Sequence, residues 1–446
     1  MKISLLNPTR QTLSSAILPL LILAVTLGCG FNSYAESLAV SNNQELKLAL
    51  TNAQDGDRII LDSGRYQGPV QIHQSITLTS LGDSIIDANG VGSAITVFAA
   101  NVELSGLRIE NWGNDHYERD AGILLEPGSH GVKIHNNHLR GDGFGIRADE
   151  LNNIQINDNV IVGNNRLYIL DRGDGIHLQH VTGSVITGNT ISQVRDGVYL
   201  ESSSKSKVFD NQLFDQQYGI HYMYTMDDEA FNNQSYQVDG GYALMNSKRI
   251  HLHRNQVWDA IDFGILLNMT EQALVDHNRV ERIVNRKEDQ VLGQEGKGIF
   301  VYGARDNTII NNHFAHSDIG FYMAMGGEGN QVYQNQFIDN FSQVKYVGDS
   351  LLEWSHAGRG NYWSGYLGWD HNLDGVGNTA YRPNDNIDKL FWLYPEANFL
   401  MDSAIVVVLR WVQRQFEIGE PSGIIDSFPL LTPNPAFNYQ SAVANR

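Results

Sequence analysis

The chain of 446 residues has a single cysteine, Cys29, which lies in a leader-like segment. A mature chain without it has no disulfide and no thiolate metal site. Cations are also scarce: 31 Lys and Arg stand against 50 Asp and Glu, for a formal charge of −19. That balance argues against nucleic acid or anionic lipid as a direct partner. Long apolar runs are missing as well. The longest, Ala16 to Leu27, is short for a membrane span, and no later segment reaches 18 uninterrupted apolar residues. Helical periodicity is absent from most of the chain, which excludes leucine-rich strand-plus-helix repeats.

What is present is a ruler. Glycine opens a short apolar strand at Gly122, Gly145, Gly175, Gly197, Gly219, Gly241, Gly264, Gly298 and Gly320. The spacings are 23, 30, 22, 22, 22, 23, 34 and 22 residues. Asparagine keeps step at Asn137, Asn159, Asn189, Asn211, Asn233, Asn255, Asn278, Asn312 and Asn335. Both ladders lengthen in the same units, as expected of a solenoid. Within a unit the apolar period is two, a strand period. The fold class predicted is therefore all-β, a right-handed parallel β-helix of about 22-residue coils stacked about 4.8 Å apart. Residues one and three after each Gly point into the core; those two and four after it point outward. The Asn column is placed at a tight bend, where Asn tolerates the left-handed conformation and amides link successive coils.

The ends differ from this repeat. Lys2 and Arg10 precede the apolar run, and Ser33-Tyr34-Ala35 offers a small-x-small cleavage site, so residues 1–35 read as a Sec-type signal peptide and the mature protein as periplasmic. Leu27-Gly28-Cys29 offers a rival lipoprotein site, with Thr26 where leucine is usual. Residues 36–350 read as the β-helix, capped by a short helix at Gln44 to Asn52. Residues 351–446 read as an aromatic and Asp-rich extension with an amphipathic helix from Ser403 to Phe416.

Three coils are enlarged at one corner, just before the Gly strand: Gly106 (in the Asn place) to Gly122, Asn159 to Gly175, and Asn278 to Gly298. Insertions gathered on one edge mark a candidate binding face. Between the last two, the short coils carry unusual outward residues. His221 and Met223 are outward in one coil, and Met245 stacks on Met223 from the next. Thioether and imidazole together suit a soft, weakly held Cu(I). Met226 lies just beyond Met223, and Met269 one coil higher. His177 shares the outward register two coils below His221, and Met323 points inward. The candidate metal set is His221, Met223, Met245 and Met226.

A second constellation, Asp370-x-Asn372-x-Asp374-Gly375, copies the first half of an EF-hand loop but has Tyr381 at the twelfth position. It leaves two readings open, a calcium site and an Asx-rich turn. Asp174 and His177 are the best fragment of an acid–base site, which keeps a carbohydrate lyase, epimerase or glycosidase as the rival function. Asp196 and Glu201 are the only carboxylates near them at a comparable register.

Several stretches together resemble the NosD family of nitrous oxide reductase maturation proteins. They are His221-Tyr222-Met223-Tyr224, Ala243-Leu244-Met245, Gly360-Asn361-Tyr362-Trp363-Ser364, Tyr381-Arg382-Pro383-Asn384-Asp385 and Leu409-Arg410-Trp411-Val412-Gln413-Arg414-Gln415-Phe416. The resemblance implies a periplasmic, non-enzymatic subunit of an ABC-type complex with a membrane permease and a cytoplasmic ATPase. Such a complex matures the copper centres of nitrous oxide reductase, with copper passed from a lipoprotein chaperone. For docking on the permease, Trp363, Trp392 and the helix from Arg410 to Phe416 are the expected anchors.

Overall fold

The computed structural model describes residues 35–286, 294–346, 348–384, 386–394, 400, 403–415 and 423–437. The expected signal peptide and Cys29 lie outside the described residues. The described chain winds as a parallel β-solenoid with three strand-bearing faces per coil. Face one carries the Gly strands, face two the short strands that follow, and face three the strands after each Asn. Face two is a 13-stranded parallel sheet with one strand per coil. In the coils of Gly219 and Gly241 the strand is continuous around the corner from face three to face one, over Gln212–Met223 and Gln234–Met245.

Alternation fixes the core. On face one the inward column runs Ile123, Ile146, Ile176, Val198, Ile220, Tyr242, Ile265, Ile299 and Phe321, each in register with the next. All are buried, as is Met323. Burial of each such side chain is worth about 1.5–3 kcal/mol. The glycines recur because the backbones close up at this corner. A Cβ on Gly145 would lie 2.4 Å from the carbonyl oxygen of Gly175, and one on Gly241 2.5 Å from that of Gly264.

The Asn ladder forms as expected, but with a different backbone. Asn211 Nδ2 and its backbone N–H both donate to Asn233 Oδ1, and Asn233 repeats this to Asn255. Nδ2 also donates to a carbonyl of the preceding coil, Val208 in the case of Asn233. The left-handed residue is the one before the ladder position: Asn136, Asp158, Asp210, Asn232 and Arg254 have φ of 53 to 56°. The turn is thus made one residue earlier, which leaves the ladder Asn free to aim its amide inward. For the same reason Leu107, not Gly106, occupies the ladder place in the first enlarged coil. Leu107 N–H donates to Asn137 Oδ1, whereas Gly106 holds the left-handed position with φ 66°.

Both ends are capped. The predicted N-terminal helix is α1 (Asn43–Asn52), with the Asn42 side chain accepting from the N–H groups of Gln44 and Glu45. At the other end one rung continues past residue 350: Asn361 accepts from Asn335 N–H, and Tyr362–Trp363 pairs with Gln336–Phe337. Trp354 closes the core against Phe321 and Trp363 against Phe337, with ring centroids 4.6 and 4.5 Å apart. Beyond lie α2 (Asn386–Leu393) and α3 (Ala404–Gln415), close to the predicted amphipathic helix. No helix among the described residues is long and apolar enough to cross a membrane.

Candidate functional site

The outward residue two after each Gly forms one column on face one, Leu124, Arg147, His177, Tyr199, His221, Ala243, Leu266, Phe300 and Tyr322, which Lys345 continues in a coil with Gln343 in the Gly place. The outward column two residues further on runs Gln179, Glu201, Met223, Met245, Asn268 and Tyr302. His221 and Met223 therefore share one side of one strand, and Met245 lies directly on Met223 in the next coil. His177 is two coils below His221, with Tyr199 between them.

His221 faces outward yet is buried, at 8% relative exposure. Tyr199 packs edge-on at 4.7 Å between centroids, and Tyr218, which precedes the Gly, packs at 5.3 Å. His221 Nδ1 pairs with Asp196 Oδ2 at 3.0 Å. Its Nε2 is buried and has no hydrogen-bond partner. His177 repeats the pattern, with Nδ1 2.7 Å from Asp174 Oδ2 and Nε2 unpartnered. A neutral imidazole held to a carboxylate through Nδ1–H presents Nε2 as a lone pair, the orientation found in metal-ligating histidines.

Sequence reasoning passed over how these pairs are joined. Arg195 Nε and Nη2 clamp Asp174 at 2.9 Å each, and Arg195 lies 3.8 Å from Asp196. Tyr199 packs between the two imidazoles, tilted against His177 at 4.6 Å and edge-on to His221. The signal was present in the repeated Asp before Gly, at Asp174 and Asp196. Desolvation opposes the negative charge on Asp174, but the His177 bond and the Arg195 clamp hold its carboxyl below the usual range. Burial dominates for Asp196 and raises it. It also pushes Tyr218 up to about 12 and lowers His177. Both carboxylates are buried, and each is engaged by a histidine.

Met223 and Met245 are half-buried; Met245 packs against the small apolar cluster of Ala243, Phe263 and Leu266. Met226 is set apart from them. The strand ends at Met223, Tyr224 turns the chain with φ 56°, and Met226 is exposed on the edge between faces one and two. Its sulfur accepts from Arg249 Nη2 at 3.7 Å. Asn268, not Met269, continues the methionine column, and Met269 takes the left-handed position that follows it.

Two further expectations meet a different geometry. Trp363 is no surface anchor: it is buried and its Nε1 donates to Asp426 Oδ2 at 2.7 Å. In the Asp370 loop the carboxylate is taken up by the backbone, accepting from Leu373 at 2.6 Å and Gly375 at 2.9 Å, while Asn372 Nδ2 donates to Asp374. These bonds have the pattern of an Asx-rich turn, in which carboxylate oxygens accept from backbone N–H groups.

The profile of the NosD family, described as a periplasmic copper-binding protein, matches residues 164–368. A profile for a family of unknown function matches residues 64–257. The chain is 45% identical over 381 residues to a probable ABC transporter binding protein NosD of Stutzerimonas stutzeri, covering 84% of this chain and 87% of that one. It is 46% identical over 380 residues to the protein of the same description from Pseudomonas aeruginosa, covering 84% and 89%. Among solved structures, the A-module of Azotobacter vinelandii mannuronan C-5 epimerase AlgE6 superposes with a TM-score of 0.54 at 14% identity, over 72% of this chain and 93% of that one. A DFA-IIIase from Arthrobacter chlorophenolicus gives 0.54 at 14% identity, over 74% and 96%. At that identity the likeness shows the β-helix alone.

Proposed function

The chain belongs to the NosD family, and from that premise we propose that it is the periplasmic accessory subunit of an ABC transporter complex that matures the copper centres of nitrous oxide reductase. It accepts Cu(I) from a lipoprotein chaperone, holds it transiently and relays it within the complex. It performs no bond chemistry of its own. The observation that carries this reading is the register of Met223 on Met245 beside His221, whose Nε2 is buried without a protein partner.

The donors fit the cargo. Two thioethers and an imidazole are soft to borderline ligands that suit Cu(I), and without a thiolate the ion is held loosely enough to leave. Asp196 holds the His221 ring by Nδ1, so the ring need not reorient when copper arrives. Tyr218 and Tyr199 shield the nitrogen from water, which protects Cu(I) from hydration. Met226 on the exposed edge serves as an entry ligand rather than as part of the enclosed set.

Contact with the permease is assigned to α3. Ile405, Val407, Val408, Leu409 and Trp411 are exposed there, and Val406 is the one buried residue among the described side chains of the helix. An apolar helix face of this kind is suited to a partner groove. The ATPase is reached through the permease, and the reductase receives copper at the far end of the relay.

The test is anaerobic Cu(I) binding by the mature protein and by Met223→Leu/Met245→Leu, with His221→Gln added as a third change. The leucines keep volume and apolar character, so packing is retained while the sulfurs go. Loss of one Cu(I) equivalent in the variants is the expected result. Equal stoichiometry and affinity in all three proteins would remove this site from the reading.

A further inference from the structure

Face two, in the same coils but around the edge from the methionines, carries a separate group of ligating side chains. Glu229 opens one strand, and His251 and His253 lie on the next (His251–His253). Glu229 is in register with His251, and Phe231 with His253. Glu229 Oε1 lies 3.0 Å from His253 Nε2 and 3.9 Å from His251 Nδ1. Among the described residues this is the one trio of His, Cys, Asp or Glu whose ligand atoms all lie within 4.8 Å of one another. Ligands at about 2.0–2.2 Å from an ion in tetrahedral geometry stand about 3.3–3.6 Å apart. Reaching that geometry requires the half-exposed His251 ring to rotate out of its stack on His253.

Both histidines are oriented from outside the trio. His251 Nε2 pairs with Asp276 Oδ1 at 2.7 Å, and Asp276 Oδ2 pairs with His277 Nδ1 at 2.6 Å. The carboxylate accepts a hydrogen bond from Nε2–H and leaves Nδ1 as a lone pair turned toward Glu229, the carboxylate–histidine arrangement that supports metal ligands. His253 stacks on Phe231 at 5.0 Å, and Phe231 on Phe209 at 4.7 Å, so its ring plane is fixed by an aromatic column. The two imidazoles stack on each other at 4.0 Å. Lys207 pairs with the other oxygen of Glu229, Oε2, at 3.0 Å and so does not occupy the trio.

Histidine–carboxylate pairs such as His135 with Glu103 and His313 with Glu281 bring one histidine to each carboxylate, whereas Asp276 meets both His251 and His277 and so ties a further histidine to this group. Two histidines converging on one glutamate go beyond a neutral surface rung. His251 and Glu229 are partly exposed, with side chains at 38% and 29%, so an ion has access from solvent.

We infer that Glu229, His251 and His253 form a site for a divalent late first-row transition ion, Cu²⁺ ahead of Zn²⁺, distinct from the Cu(I) site on face one. Nitrogen and carboxylate donors without sulfur select the divalent ions, and Cu²⁺ heads the affinity order for such a set. The site stands independently of the relay, because it shares no residue with it.

The experiment is titration of the full mature chain with Cu²⁺, read by calorimetry and by electron paramagnetic resonance, with Zn²⁺ as competitor. One equivalent with nitrogen hyperfine structure from two imidazoles is expected, displacing Zn²⁺. Glu229→Gln/His251→Gln alters only partly exposed groups, and His253→Phe keeps the aromatic column. Each is expected to weaken Cu²⁺ binding by about 100-fold or more, the upper end of what even an outer partner of a metal site contributes. Met223→Leu/Met245→Leu is expected to leave the Cu²⁺ signal unchanged, which separates failure of this site from failure of the relay. Wild-type affinity and spectrum in Glu229→Gln/His251→Gln would overturn the inference. So would a wild-type spectrum without nitrogen ligands, even if His253→Phe proved unable to fold.

Discussion

The solenoid and the C-terminal extension are held by opposite strategies. In the solenoid each coil repeats the same bonds, so polar groups at the Asn corner are satisfied many times over by one rule. Asn233 alone accepts from Asn211 twice and donates to Val208 and Asn255. The extension instead depends on one buried carboxylate. Asp426 Oδ2 accepts from Asn361 N–H and from Trp363 Nε1, both at 2.7 Å, and Oδ1 accepts from Phe428 N–H at 3.1 Å. Burial pushes Asp426 up to about 6. A repeated neutral ladder tolerates pH; a single carboxylate does not. The region that bears the proposed permease contact is therefore also the one whose attachment responds to its surroundings.

The largest effect is expected where the ladder is broken. Asn233→Ala removes the acceptor for the backbone N–H of Asn211 and the amide that donates to Val208 C=O, which strands two groups in the interior. At about 1–3 kcal/mol for each stranded buried group, a total near 4 kcal/mol is expected, less any water that enters. Nearest-neighbour coupling in a solenoid should make this a loss for the whole array. Thermal unfolding followed by far-ultraviolet circular dichroism would show one lowered transition; an unchanged midpoint would mean the ladder is ornamental.

Asp426→Ala should come next, at about 3 kcal/mol, because it strands the Trp363 indole N–H and the Asn361 N–H. Here the loss is expected to be local. Limited proteolysis should release fragments from beyond residue 350 while the solenoid retains its melting transition. Simultaneous loss of both would show that the extension is part of the solenoid's cooperative unit.

The fold was legible because both ladders sit at fixed intervals, and a period-two apolar pattern admits no other reading at 22 residues. The stacking of Met223 on Met245 followed from the same ruler. What escaped was whatever depends on neighbours across coils at unequal positions. Trp363 looked like a surface anchor because its aromatic-rich context resembles an interface, yet it is the lid on an open core. His221 was read as an open ligand, and only the rings of Tyr199 and Tyr218 reveal its burial. The pairing of Glu229 with His251 does keep the 22-residue interval, but it lies on face two, outside the Gly strands to which the ruler was applied. Met226 failed the ruler for a simple reason: Tyr224 turns the chain, so alternation stops at Met223.

A smaller, pH-dependent difference sharpens the same contrast inside the solenoid. Asp228 occupies an inward column where the preceding coils have Ser184 and Ser206 and the following ones Ile250 and Ala273. Its Oδ1 accepts from Ser206 N–H at 2.7 Å, its Oδ2 has no partner, and burial pushes it up to about 7. A carboxyl raised on folding contributes stability that is complete below the unfolded value near 4 and is lost as pH rises through about 7. Asp228→Asn should remove that loss. Its melting point should match the wild type near pH 4 and exceed it by several degrees at pH 8. A constant difference across that range would show that Asp228 does not titrate in the fold.

The smallest effect on stability should accompany a large effect on assembly. Val408→Ser/Trp411→Ser replaces exposed side chains on α3, and surface substitutions of this kind are usually within about 0.5 kcal/mol of neutral. Folding, Cu(I) binding and Cu²⁺ binding should all survive. Co-purification with the permease should not, because the apolar face that fills the partner's groove is gone. The Asp426→Ala protein offers the matching control: it keeps the α3 surface but loosens its attachment, so it should bind the permease with a pH dependence unlike that of the wild type. Undiminished capture of the permease by the serine variant would move the contact onto the solenoid. The regular part of the molecule would then supply both the cargo face and the dock, and the division of labour between the two regions would fall.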